Sequence, residues 1–161
     1  MKLALAGIAG LALAGAASAQ NLTTIVTDDA VQTAFTAAGG ENVRKVSGAG
    51  EEPIWVGEFG DENFYANAVA CQDGYVDCQG LRLVAIYPYP ESTTDQSSFL
   101  KRANEIYAAV KVVSFDEQNF LINYYIILNG GVTQENLNET IRVYVDLVGR
   151  TVERLFSAED E

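Results

Sequence analysis

The chain has 161 residues, 48% of them hydrophobic and 20% charged, with no histidine and a formal net charge of −12. Acidity of that size repels nucleic acid and anionic lipid headgroups, and it also serves plain solubility. The missing histidine removes the commonest general base and the commonest transition-metal ligand, so a nucleophile would need another activator and zinc would have only two cysteines and carboxylates.

Lys2, the apolar run 3–16 and the small residues Ala17, Ser18 and Ala19 make the pattern of a secretory signal peptide, with cleavage expected between Ala19 and Gln20. No cysteine follows that site, which argues against a lipid anchor. Removing residues 1–19 takes one of the 10 Lys+Arg and none of the 22 Asp+Glu, so −12 becomes −13. Residues 20–161 are long enough for one core, and no later stretch has the roughly 18 unbroken apolar residues of a membrane span. The expected location is periplasmic or secreted, with no membrane attachment after cleavage and no nucleic-acid partner.

A polar lead-in, 20–27, ends at Thr27, a plausible N-cap with Asp28 and Asp29 in the positive first turn behind it. Val31, Ala34, Phe35 and Ala38 fall at helical spacing, and Gly39-Gly40 stops the helix. Strands are expected at 43–46, 54–59, 63–71 and 79–87, joined by a Gly-rich turn, by Gly60-Asp61 and by a loop containing Asp73-Gly74. Short connections make this run an antiparallel meander. Pro88 and Pro90 end it. Thr93 or Thr94 can cap a second helix over 95–109, whose buried stripe is Phe99, Ala103, Ile106 and Val110. Strands 111–115 and 120–128 then flank the hairpin loop 116–119. The last helix has the best start signal: Thr133 as N-cap, Glu135 in the first turn, and Val132 with Leu137 as a hydrophobic staple. Its apolar face runs through Leu137, Ile141, Tyr144, Val145, Val148, Val152 and Leu155. The order α-β-β-β-β-α-β-β-α predicts an α+β fold with an antiparallel sheet packed with helices.

Cys71 and Cys78 sit at facing ends of two predicted strands, where an exported protein is expected to form a disulfide. Their spacing is not that of a redox CxxC pair. The acidic pairs Asp28-Asp29, Asp73/Asp77 and Asp116-Glu117 read as solvated caps and turns, and neither of the last two has the ligand ladder of a calcium loop. Asn21-Leu22-Thr23 and Asn138-Glu139-Thr140 match the N-glycosylation pattern and read as chance.

The strand at 120–128 is apolar on both sides. Phe120, Ile122, Tyr124, Ile126 and Leu128 point one way, and Leu121, Asn123, Tyr125 and Ile127 the other. On the earlier strand Val84 and Ile86 oppose Leu83, Ala85 and Tyr87. A sheet with helices on one face should alternate more cleanly. A core on both sides of the sheet is the leading expectation; the other is an exposed face for a protein partner or a second copy. On the second expectation the surface residues are Val84, Ile86, Leu121, Tyr125 and Ile127.

The segments Cys71-Gln-Asp-Gly-Tyr-Val-Asp-Cys78-Gln-Gly-Leu-Arg-Leu and Leu128-Asn-Gly-Gly-Val-Thr-Gln-Glu-Asn-Leu137, with a helix around Asn104 and a strand hairpin between them, resemble the exported branch of the YbjN domain family, also known by the label of bacterial sensory transduction regulators. The resemblance covers nearly all of residues 20–161. It implies a fold similar to type III secretion chaperones, and it supplies no reaction, cofactor or catalytic residue. Members of that family often carry a tryptophan on the second helix, where this chain has Glu105-Ile106-Tyr107 after Asn104.

The expected function is therefore an exported, non-enzymatic binding or chaperone-like regulatory domain with no cofactor or metal. It would use an apolar surface on a protein partner or in a homodimer. Two alternatives stand beside it. One is a histidine-free enzyme that gathers carboxylates in a pocket around Tyr87, Tyr124 or Tyr125. The other is a binder of small apolar ligands in a closed cavity between sheet and helices.

Overall fold

The computed structural model describes residues 22–48 and 50–157. The expected signal peptide lies outside them, as does Asn21 of the first glycosylation pattern. The elements in chain order are β1 (Leu22–Thr23), α1 (Asp28–Ala37), β2 (Glu41–Lys45), β3 (Ile54–Phe59), β4 (Glu62–Val69), β5 (Gly80–Pro88), α2 (Gln96–Ile106), β6 (Lys111–Ser114), β7 (Asn119–Ile127), β8 (Val132–Thr133) and α3 (Gln134–Ser157). Six strands form one antiparallel sheet in the order β2-β3-β4-β5-β7-β6. β2 to β5 make the expected meander. α2 then carries the chain over the sheet to its far edge, and β7 returns to pair with β5. β1 and β8 form a separate two-stranded ladder, Leu22 opposite Thr133, that the sequence did not announce.

Local chemistry explains the helix ends. The Thr27 side chain accepts from the Ala30 N–H at 3.2 Å, and Gly39, at φ +98°, turns the chain out of α1. The cap of α2 is Asp95 and not Thr93 or Thr94: its carboxylate accepts from the Ser97 N–H at 3.0 Å and from the Ser98 hydroxyl at 2.6 Å. A carboxylate that takes two donors at once displaces a threonine hydroxyl as the cap. α2 also stops earlier than expected, at Ile106. Thr133 caps α3 as expected, accepting from the Asn136 N–H at 3.1 Å.

All three helices pack on one face of the sheet, so the expected two-sided core is not what forms. The single core joins Val31, Ala34 and Phe35 of α1, Phe99 and Ala103 of α2, and Leu137, Ile141, Tyr144, Val148 and Leu155 of α3. These meet Trp55, Phe64, Ala66, Leu81, Leu83, Ala85, Phe120, Ile122 and Ile126 of the sheet. Burying each large apolar side chain of this set contributes roughly 1.5–3 kcal/mol. Gly57 lets α1 sit close: a Cβ there would stand 2.5 Å from the Phe35 ring. On the edge strand β6, the Asn104 side chain accepts from the Val112 N–H at 2.9 Å and donates to the Val112 carbonyl at 2.7 Å. It stands in for a missing neighbour strand and closes that edge.

Candidate interaction surface

Strand register decides what the uncovered face presents. Antiparallel partners share a face, and the ladder sets Val56, Tyr65, Val84, Asn123 and Lys111 in one row. The next row holds Ile54, Asn67, Arg82 and Tyr125. Val46 extends it past the end of β2, where its N–H donates to the Ile54 carbonyl at 2.8 Å. Val69, Gly80 and Ile127 form a third row, and Leu121 with Val113 belongs to a fourth. Ile86, opposite Leu121, completes that last row.

The five residues singled out from sequence, Val84, Ile86, Leu121, Tyr125 and Ile127, therefore lie together on the face away from the helices. Val84 and Leu121 are 5% and 8% exposed, screened by their neighbours, yet neither they nor the buried Val56 belong to the main core. Tyr125 and Ile127 stand at 48% and 64% exposure. Tyr125 lies across Gly80, where an added Cβ would run into its hydroxyl. Sequence reasoning missed Val46, Ile54, Val56, Tyr65, Val69 and Val113. The signal is present in β3, where Ile54 and Val56 alternate with Trp55 and Gly57 and so put apolar side chains on both sides of that strand too.

Charge on this face is sorted. On the β2/β3 side Glu58 meets Arg44 at 3.5 Å and accepts from the Asn42 amide at 2.6 Å. Glu52 reaches over to accept from the Asn67 amide at 3.3 Å. On the β5/β6 side Arg82 and Lys111 make no ion pair among the described residues.

The tyrosines of the enzyme alternative are not gathered. Tyr125 is on the open face, while Tyr124 packs against Tyr144 under the helices at 6.3 Å. Tyr87 donates to Glu62, and burial, with that carboxylate beside it, pushes its hydroxyl far above the usual tyrosine range. That direction makes Tyr87 harder to ionise, the reverse of what a base or nucleophile needs. Among the described residues no Asp or Glu is buried. Between α3 and the segment before β6 lies a cleft of about 180 Å³ lined by Ala109, Tyr124, Thr140, Val143, Tyr144 and Leu147, with Glu139, a carboxylate spent on Arg142, at its edge. It opens to the surface and is smaller than a typical ligand pocket of roughly 300–1,000 Å³.

Cys71 and Cys78 lie just outside β4 and β5, with sulfurs 2.07 Å apart, disulfide distance. The loop they bracket holds Tyr75 and Asp77 in the left-handed region, at φ 59° and 47°, and Ala70, just before Cys71, is there too at φ 54°. Asp116, of the other acidic pair, spends its carboxylate on the N–H groups of Gln118 and Asn119, at 2.8 and 2.7 Å, closing the β6–β7 hairpin.

Residues 27–157 match the family model described as "YbjN: Putative bacterial sensory transduction regulator". Two solved structures share the fold. The crystal structure of YbjN from E. coli, described as a "putative transcription regulator", superposes with a TM-score of 0.61 at 11% identity, covering 86% of this chain and 97% of that one. An uncharacterized protein from Methanothermobacter thermautotrophicus gives 0.58 at 11% identity, covering 83% and 99%. No curated protein matches the chain.

Proposed function

The chain belongs to the YbjN family, and from that premise we propose that it is an exported, non-enzymatic binding domain of regulatory or chaperone-like type, working through its open sheet face. The observation that carries this reading is the sheet surface without helices, with Tyr125 48% and Ile127 64% exposed beside Val84 and Leu121. Isolated surface hydrophobes need no explanation; here Val46, Tyr125 and Ile127 stand exposed on one face among half-buried Ile54, Tyr65, Val69, Ile86 and Val113, with no helix over them. The pattern Lys2, apolar run, Ala17-Ser18-Ala19 supports export.

The test is site-specific photo-cross-linking in the producing cells, combined with N-terminal sequencing of the recovered protein. A photoreactive residue at position 125 is expected to form adducts. The same residue at position 143, exposed on α3, is the control and is expected to form none. The recovered chain is expected to begin at Gln20. Equal labelling from both positions, or none from 125, removes the reading of the face; a chain that keeps Met1 removes export.

A further inference from the structure

We propose that the occupant of the open sheet face is a second copy of this chain, so that the face is the seam of a homodimer. This rests on the reading of the face as an interaction surface and names its partner.

Charge carries the first step. The chain bears −12, yet the face is close to neutral, with Arg44, Arg82 and Lys111 set against Glu41, Glu52 and Glu58. Two copies of so acidic a molecule repel each other along most approaches and least along this one. A heterologous acidic partner gains nothing from a neutral face, and a basic one would find stronger attraction on the helix side.

The arrangement of those charges carries the second step. The acids sit on the β2/β3 side, and the unpaired Arg82 and Lys111 sit on the β5/β6 side. A two-fold interface must be complementary to itself. With the axis along the strands, each copy lays its β2/β3 side over the partner's β7/β6 side. Acids then face bases, and the two sheets pack with aligned strands.

Area supplies the third. Six strands at about 4.8 Å spacing, and roughly 20–25 Å tall, give about 600–700 Å² per copy. That lies within the standard class, whose lower bound is about 600 Å² per partner. Val56, Val84 and Leu121 form the densely packed centre, with Tyr125 and Ile127 as the side chains that gain most from being covered.

Sedimentation of the protein purified from cells expressing the full chain is expected to give a dimer at micromolar concentration. Ile127→Asp should convert it to monomer with unchanged circular dichroism, because Ile127 is exposed in the single copy. Glu58→Lys and Lys111→Glu should each weaken self-association about tenfold, and an equimolar mixture of the two variants should restore it. A monomer at every concentration up to about 100 μM overturns the inference, as does a dimer that survives Ile127→Asp or a mixture that fails to recover. The cross-link from position 125 separates the two readings. An adduct of twice the chain mass supports the second copy. An adduct to a different protein sinks the homodimer and leaves the binding function standing, and no adduct sinks both.

Discussion

Tyr144 shows how much one buried hydroxyl decides. It is 2% exposed, touches Phe64 edge-on at 5.9 Å, and donates to the Ile122 carbonyl at 2.6 Å. Burial holds its hydroxyl well above the ordinary value of 10.0, with Tyr87 adding to the effect. Tyr87 is raised for related reasons, burial first and then Glu62. A raised folded-state pKa leaves the neutral form favoured in the native protein. The stabilisation is complete below about pH 10 and is lost as pH climbs above it, because the unfolded chain gives up protons that the folded chain keeps. Chemical denaturation across pH 7–11 is expected to show a plateau and then a fall. Tyr144→Phe should cost about 1 kcal/mol at neutral pH for the lost hydrogen bond, and should make the alkaline fall shallower. An unchanged alkaline slope in that variant would refute the assignment. The apolar stripe of α3 made Tyr144 legible as core; its bond to a strand carbonyl had no local signal. Asn104 is similar, since nothing in its neighbourhood of sequence says that its amide will face Val112.

At the scale of elements, legibility followed how local the deciding chemistry is. α3 declared itself because its cap, first-turn Glu135 and seven apolar positions all lie within the helix or just before it. The cap of α2 was ambiguous because Thr93, Thr94 and Asp95 are all capping residues, and the choice fell to the one with two donors, Ser97 and Ser98, in reach. β1 and β8 carry two residues each, too few to show a period, and pair positions about a hundred residues apart. The two-sided apolar strands point to a core on both faces or to an open face, and the helices cover one face only, with α1 seated close where Gly57 meets the Phe35 ring. The cysteine hairpin is legible from Asp73-Gly74 together with the export expected from the N-terminal pattern. Its base also holds the lead-in to α1, since the Val26 N–H donates to the Cys78 carbonyl at 2.8 Å. Thiol titration of denatured, unreduced exported protein is expected to find no free thiol. Replacing both cysteines by serine should lower stability by about 2.5 kcal/mol in the chain-entropy account, as closure of so small a loop is freed in the unfolded chain. Two titratable thiols per chain would contradict the pairing.

Across the whole molecule the dominant fact is acidity, read directly from composition. The described residues hold four ion pairs, all of them exposed, and such pairs offset little. The remaining carboxylates repel one another at neutral pH, so the native state works against its own field. Salt shortens the range of that repulsion, to about 10 Å at 0.1 M and about 3 Å at 1 M. Melting temperature at pH 7 is therefore expected to rise between about 10 mM and 0.5 M sodium chloride. Acid acts in two stages with opposite signs. From pH 7 toward the isoelectric point near 4.3, loss of negative charge relieves the repulsion and stabilises. Below that, Asp95, Asp116 and Glu139 matter, because hydrogen bonds from Ser98, Asn119 and Arg142 hold their carboxyls below the usual range. A lowered folded-state pKa gives stability that is present above the unfolded value and lost as pH falls through the folded one, so the α2 cap, the β6–β7 hairpin and the Glu139–Arg142 pair of α3 loosen in acid. Calorimetry at low salt is expected to find the highest melting temperature near about pH 5, with a fall on both sides, and to find the optimum flattened in high salt. A melting temperature that rises steadily from pH 4 to pH 8 at low salt would mean that the charge is too well solvated to strain the fold. The near-neutral sheet face would then lose its electrostatic reason to be the place where two copies meet.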